Sequence, residues 1–282
     1  LEHFKELIVV DHSVSGEEFT LKYDKEFEMY KTYPQPSSED LLRYYVSKDY
    51  ISHTSSKRNL IERLYHMVRS YMLRSKLRIL AKYSEPKGSL LDIGCGTGDF
   101  LMAADKKGWN VVGVEPNHHA REKASSKGLE VYDIDRLLKF ADATFDVITL
   151  WHVLEHLPNL EDHIKLFKKL LRPGGLLVIA VPNYKSFDAM HYGEFWAAFD
   201  IPRHLWHFSK LSIESLFLRY NLILFLIKPM WFDSFYVSIL SEKYKKSNFG
   251  FIKGVMIGFI SNLKGLHSRN FSSQIYLLRP KI

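Results

Sequence analysis

The chain has 282 residues, enough for one full α/β core with material left for a cap or small subdomain. Its 25% charged and 46% hydrophobic residues are ordinary for a soluble globular protein, and a net charge of +7 spread over this length is a weak argument for nucleic acid. The single cysteine, Cys95, excludes an intramolecular disulfide framework and a multi-cysteine zinc module and suits a reducing cytoplasm; no apolar run is long enough for a transmembrane span, and nothing reads as a secretory leader.

Residues 1–56 are mixed, with an alternating stretch at Phe19–Tyr23 and a turn at Pro34–Ser38. From Lys57 to Tyr83 the pattern is helical: Leu60, Ile61, Leu64, Met67, Val68, Tyr71 and Met72 recur at three- and four-residue spacing, without glycine or proline. Arg58, Arg63, Arg69, Arg74, Lys76 and Arg78 read as the solvated basic face of a packing helix, with a polyanion or membrane contact as the alternative. Residues 1–84 are therefore expected to form an N-terminal helical extension, ended by the breaker Glu85-Pro86-Lys87-Gly88, and 231–271 a C-terminal lid insertion.

Strict strand–helix alternation follows. Strands are expected at Ser89–Ile93, Asn110–Glu115, Leu129–Asp133, Phe145–Trp151 and Gly175–Val181, and helices at Asp99–Lys107, Asn117–Lys127 and Asn159–Leu171. Such alternation implies right-handed crossovers and a parallel sheet with helices on both faces. An aromatic loop (183–208), a helix (209–219), a strand (222–228), an insertion (231–271) and a last strand (Ser273–Arg279) complete a domain over 85–282. The apolar run Phe249–Leu263 is broken by Lys253, Gly254, Gly258 and Ser261. It reads as a packed or oligomer-contacting helix, and an interfacial membrane helix is the alternative.

The sharpest local signal is Leu90-Leu91-Asp92-Ile93-Gly94-Cys95-Gly96-Thr97-Gly98-Asp99. A hydrophobic strand runs into glycines that allow close ligand approach, and the chain then enters a helix. Asp99 stands where a dinucleotide fingerprint wants its third glycine, and the Gly-Lys-Ser/Thr of a phosphate loop is missing. The carboxylate of Asp92 repels a pyrophosphate but complements a cationic ligand. Glu115, ending the second strand about twenty residues on, is placed to accept both hydrogen bonds of a ribose diol.

With these residues the sequence resembles class I S-adenosylmethionine (SAM)-dependent methyltransferases. Phe145–Ile148 is similar to their fourth strand and Leu171–Ile179 to their turn and fifth strand. The resemblance implies a Rossmann-like, seven-stranded α/β sheet whose last strand is antiparallel, and SAM as cofactor. It also implies that Asp92, Gly94, Gly96 and Gly98 surround the methionyl moiety, that Glu115 takes the ribose, and that Asp133 and Ile134 neighbour the adenine. Cys95, Pro116, Trp151 and His152 complete the expected cofactor set. The run Tyr184–Ser209 further resembles a bacterial subset carrying Pro-Arg-His-Leu, here Pro202–Leu205. Relatives in that subset often have an N-terminal zinc ribbon, and Thr32–His53 resembles the segment after it. With no cysteines there, a degenerate, metal-free version is expected.

His152-Val153-Leu154-Glu155-His156 formally reads His-x-x-Glu-His, the inverted zinc-peptidase pattern, but its place after a strand of this fold argues against a peptidase. It also resembles the Glu-x-x-Glu-His element of metal-assisted O-methyltransferases, with His152 replacing the first acid. No metal is assigned; His152, Glu155, His156 and His207 form the alternative ligand set. The aromatic loop reads as a substrate roof in which Tyr184, Trp196 and Arg203 bind the acceptor. His204 is the first candidate for general base, with His207 or His191 behind it. The expected activity is methyl transfer to a nucleophile, oxygen first, on a small aromatic or glycosidic acceptor. An RNA methyltransferase and a non-enzymatic SAM-binding protein are the alternatives.

Overall fold

The computed structural model describes residues 6–45, 60–85 and 87–281. Three short strands open the chain, β1 (Glu6–Val10), β2 (Glu18–Asp24) and β3 (Met29–Tyr33), joined as an antiparallel meander. A short helical stretch follows, α1 (Ser38–Leu41) with a 3-10 turn to Tyr45, and then the long helix α2 (Leu60–Tyr83). The extension is thus not wholly helical. Period-two burial of Phe19 and Leu21 in β2 builds a sheet that helical periodicity cannot describe. Residues 57–59 of the expected helix, and 46–53 of the segment likened to the one after a ribbon, lie outside the described residues.

The central unit follows the alternation: β4 (Ser89–Ile93), α3 (Asp99–Asp105), β5 (Asn110–Val114), α4 (His118–Ser125), β6 (Val131–Tyr132), β7 (Phe145–Trp151), α5 (Leu160–Leu170) and β8 (Leu171–Pro182). After α6 (Phe187–Tyr192) and the two-residue β9 (Trp206–His207) come α7 (Lys210–Arg219), β10 (Leu222–Pro229), α8 (Asp233–Tyr244), α9 (Gly250–Ser268) and β11 (Ser273–Pro280). The main sheet has seven strands in the order β10-β11-β8-β7-β4-β5-β6. β11 lies antiparallel between β10 and β8, and β8, β7, β4, β5 and β6 are mutually parallel, as the resemblance implied. The third strand is shorter than expected, only Val131–Tyr132, because the chain turns at Asp133 into a 3-10 stretch whose first amide that side chain caps.

Two apolar layers hold this sheet, and β8 shows why. Leu176, Val178 and Ala180 face one layer with Leu80, Phe100 and Trp109, while Leu177, Ile179 and Val181 face the other with Ile164, Phe167 and Phe217. Alternate side chains of a strand point to opposite faces, so a continuous apolar run such as this one requires cover on both. Helix α2 supplies part of the first cover through Met72, Leu73, Leu77, Ile79 and Leu80. All these crossovers place the carboxyl ends of β4, β5 and β7 along one edge, where the loops gather.

Candidate functional site

The glycine turn closes over the end of β4. The amides of Gly94 and Cys95 both donate to the Val114 carbonyl, at 2.7 and 3.2 Å, clasping the turn to β5. Gly94, Gly96 and Gly98 all have left-handed φ, 68°, 54° and 78°. They differ in what surrounds them. A Cβ on Gly94 would lie 2.4 Å from Val153 and one on Gly98 2.5 Å from Leu129, whereas one on Gly96 would meet nothing within 4 Å. Two of these glycines therefore serve packing, and the middle one leaves open space.

Glu115 leaves β5 and turns back to that open glycine. Its Oε2 accepts from the Gly96 amide and its Oε1 from the Asn117 amide, each at 2.8 Å. Each oxygen keeps a second lone pair. Beside it Pro116 is held by Arg121, whose guanidinium donates to the Glu115 and Pro116 carbonyls and pairs with Asp133 at 2.9 Å. Asp133 also caps the Ile134 amide at 2.6 Å, so both residues expected beside the adenine sit at the end of β6, next to β5. Cys95 is buried, and burial together with Asp92 and Glu115 pushes its thiol pKa up, which leaves it inert.

Asp92 is buried beneath the turn and accepts from the Thr149 hydroxyl at 2.6 Å. Burial pushes its pKa up to about 7, against the lowering effects of Thr149 and Lys76. Lys76 comes from α2, and its ammonium sits 4.2 Å from the centre of the Trp151 ring. Burial draws its pKa down to about 8, partly offset by Asp92 and Asp233. The Trp151 indole N–H is buried with no hydrogen-bond partner. Helix α2 is further tied to the turn by the Arg69–Asp99 ion pair, and Asp99 also pairs with Lys127 at 3.0 Å. Lys76 was missed as a site residue. The available signal was its position among Met72, Leu73, Leu77, Ile79 and Leu80, on the apolar rather than the solvated face.

A second cluster stands after β7. His152 takes a left-handed φ of 56° and lies between Glu155 (3.5 Å) and Asp233 of α8 (3.1 Å). Burial alone would lower its pKa, but the two carboxylates push it up to about 10, so it is an imidazolium. Glu155 is 1% exposed, and neither carboxylate oxygen has a hydrogen-bond partner. Burial raises its pKa, yet the contact with the His152 imidazolium holds it below the usual carboxylate range. His204 faces it: Nε2 lies 4.0 Å from Glu155 and 3.9 Å from Asp200. The other ring nitrogen, Nδ1, is 3.0 Å from the Ala198 carbonyl and must carry the proton, which leaves a lone pair on Nε2. Burial, then His156, draws the His204 pKa down to about 4, so the ring is neutral at pH 7. The His156 ring meets it at 4.6 Å, its Nδ1 directed at the Arg203 carbonyl. Ligand atoms of Glu155, His156 and His204 all lie within 4.8 Å of one another.

The structure corrects the roof. Tyr184 and Trp196 are almost fully buried, the Tyr184 hydroxyl donating to the Glu28 carbonyl and the Trp196 indole to Asp188, each at 2.8 Å. Arg203 is buried against Asp11 and Asp200 and donates to the Tyr44 carbonyl. None of the three keeps a free face for an acceptor. His207 is corrected both as base and as metal ligand. Burial holds it neutral, and its Nε2–H donates to Thr32 Oγ1 at 2.9 Å, since that hydroxyl already donates to the His204 carbonyl. His191 rests its ring against Phe187 and Tyr192 of its own helix and is not among the groups that meet at Glu155. Of the expected base candidates, His204 is the one that stands beside Glu155 and Asp200; Asp200 and Asp233, the latter against His152, are the groups not singled out in the sequence.

Comparison with known proteins agrees with this geometry. The profile of the family described as "Methyltransferase domain" matches residues 64–224. The ubiquinone biosynthesis O-methyltransferase of Coxiella burnetii is 32% identical over 126 residues, which cover 42% of this chain and 53% of that protein. The chain thus spans about half the length of the curated relatives it matches. Among solved structures, a SAM-dependent methyltransferase from Archaeoglobus fulgidus superposes with a TM-score of 0.51 at 18% identity, covering 78% of this chain and 99% of that one. Phosphoethanolamine N-methyltransferase 2 of Haemonchus contortus, solved with SAM, gives 0.51 at 17% identity over 74% and 53%. At these identities the likeness is one of fold.

Proposed function

The chain belongs to the class I SAM-dependent methyltransferases, and on that premise we propose that it moves the methyl group of SAM onto an oxygen of a small hydroxylated acceptor. The observation that carries the reading is the pairing of Glu115 with the Gly96 amide at the open side of the glycine turn, beside a buried acid. The chain's groups fit that cofactor. Glu115 keeps a lone pair on each oxygen for a diol, and Gly96 leaves room for close approach. Burial raises the pKa of Asp92 even with Lys76 nearby, so a bound cation would favour its ionised form, and the Trp151 indole N–H lacks an acceptor among the described residues.

SAM supplies an electrophilic methyl carbon, so the acceptor oxygen has to be held in line, shielded from water and relieved of its proton. His204 is placed for the last task, although burial draws its pKa down to about 4 and makes it a weaker base than an exposed imidazole. Its neutral Nε2 accepts a proton, and the imidazolium that forms lies beside Glu155 and Asp200. Oxygen is supported by the O-methyltransferase relatives. With the rings of Tyr184 and Trp196 used internally, the roof gives no support for an aromatic or glycosidic acceptor. Of the basic helix, Arg69 and Lys76 are engaged with Asp99 and Trp151, which takes two cations from the face an RNA acceptor would use.

A second reading is favoured by the buried Glu155 carboxylate, which sits among three histidines with no close hydrogen-bond donor among the described residues: a divalent ion held by Glu155, His156 and His204. Mixed nitrogen and oxygen donors suit Zn²⁺ or Mn²⁺ better than Mg²⁺, and such an ion would polarise the acceptor hydroxyl. One calorimetric series tests both. SAM should bind in the micromolar range or tighter and Glu115→Ala should weaken it at least about tenfold, the loss of a charged hydrogen-bond acceptor; absence of binding by the parent chain sinks the proposal. Titrating Zn²⁺ or Mn²⁺ into chelator-treated protein should give heat that Glu155→Gln abolishes, and equal heats would remove the ion.

A further inference from the structure

Helix α9 is built inside out. Its buried positions are small or polar, among them Gly254, Gly258, Ser261 and Gly265. A Cβ on Gly254 would lie 2.6 Å from the Ile239 Cα, and one on Gly258 2.8 Å from the Phe235 Cα, so α8 and α9 approach almost backbone to backbone. The large apolar side chains, Phe251, Ile252, Met256, Phe259, Leu263 and Leu266, lie on the other side and are each more than half exposed. Phe249 at the start of the helix and Tyr236 on α8 are exposed as well. A surface helix of a water-facing domain has the reverse arrangement. A continuous apolar patch of this kind marks an interaction surface.

Charge selects the partner. No aspartate or glutamate occurs in the forty residues after Glu242, which carry eight lysines and arginines, including Lys253 and Lys264 on α9 itself. A second copy docked on this face would set cations against cations with no acid on the element to answer them. No helix among the described residues is long and apolar enough to cross a membrane. An amphipathic helix with cations beside its apolar face instead lies in the plane of an anionic bilayer, its apolar side in the headgroup–acyl boundary. We propose that the outer face of α9 is a peripheral membrane-binding surface for anionic lipid.

The test is sedimentation of the 282-residue chain with vesicles of phosphatidylcholine alone and of phosphatidylcholine containing phosphatidylglycerol. The chain should pellet with the mixed vesicles, more weakly with the neutral ones, and only partly come off in high salt. The double variants Phe251→Ser/Phe259→Ser and Lys253→Glu/Lys264→Glu should each lower partitioning at least about tenfold, by loss of buried apolar area and of lipid attraction respectively. An unchanged thermal midpoint shows that the variants are folded. A parent chain that stays in the supernatant with mixed vesicles overturns the proposal, as do variants that pellet like the parent. A dimer seen by sedimentation velocity and dissolved by Phe251→Ser/Phe259→Ser, without vesicle binding, gives the face to a second copy instead.

Discussion

Two aromatic-rich stretches follow the fifth strand of the sheet, and they face opposite ways. The segment 183–208 turns its rings inward: Tyr184, Trp196, Phe199 and Phe208 are buried, and its polar groups are met by partners both within the segment and far along the chain. Helix α9 turns its rings outward and keeps glycines inside. Composition alone does not separate the two. What differs is the supply of buried polar partners. Asp188 takes hydrogen bonds from Trp196, Ser261 and Ser272, and Arg203 is met by Asp11 and Asp200, so the first stretch is anchored on several sides. Among the described residues the outer apolar side chains of α9 have no such anchors, and the cations beside them make only exposed contacts, Lys253 with Ser247 and Lys264 over the Phe187 ring.

Stability measurements break or sharpen that contrast. Arg203→Leu leaves the buried Asp11 carboxylate without its cation, held only by the Ser13, Val14 and Ser15 donors, and should cost about 1.5–3 kcal/mol in urea unfolding. A loss under about 1 kcal/mol, the range of a solvated pair, would mean that the roof is not anchored as described. An intermediate effect belongs to the cofactor edge. Asp92, pushed up to about 7, must ionise to meet a cationic ligand, so SAM affinity should fall about tenfold per pH unit below 7. The sign for the ligand-free protein is opposite: a raised folded pKa contributes stability that is full below the ordinary value of 3.8 and lost as pH rises through about 7. Asp92→Asn should flatten both curves, and calorimetry across this window checks it. The smallest effect is expected on α9, where Phe259→Ser should change unfolding free energy by no more than about 0.5 kcal/mol. A core-sized loss there would place that ring inside.

The sheet was legible because its signals are local. Apolar runs, the glycines at 94, 96 and 98 and the acid at 115 act on their own backbone or on the next strand, and the observed register puts Asp92 opposite Gly113 as that unit requires. The second cluster was legible only in part. Glu155, His156 and His204 could be singled out, but the choice of His204 over His207 depends on Thr32, which lies 172 and 175 positions away. Tyr184 and Arg203 looked available for the same reason: their partners, Glu28 and Asp11, are separated from them by 156 and 192 residues. Lys76 was hidden differently. Its helix carries cations on several sides, and only the packing of α2 against β4 and β8 shows which of them faces inward.

The two-residue strand β9 pairs with β3 at Tyr30 and Lys31 and so closes the N-terminal sheet. During synthesis β3 leaves the ribosome well before the segment that will cover it, by a delay on the order of ten seconds or more at ordinary elongation rates. Over that interval its outer edge is an unpaired template open to any extended neighbour. That edge of the nascent chain therefore stays unpaired by its own partner strand until residue 207 emerges. The seat of His204 is completed only then, when Thr32 and the late segment meet.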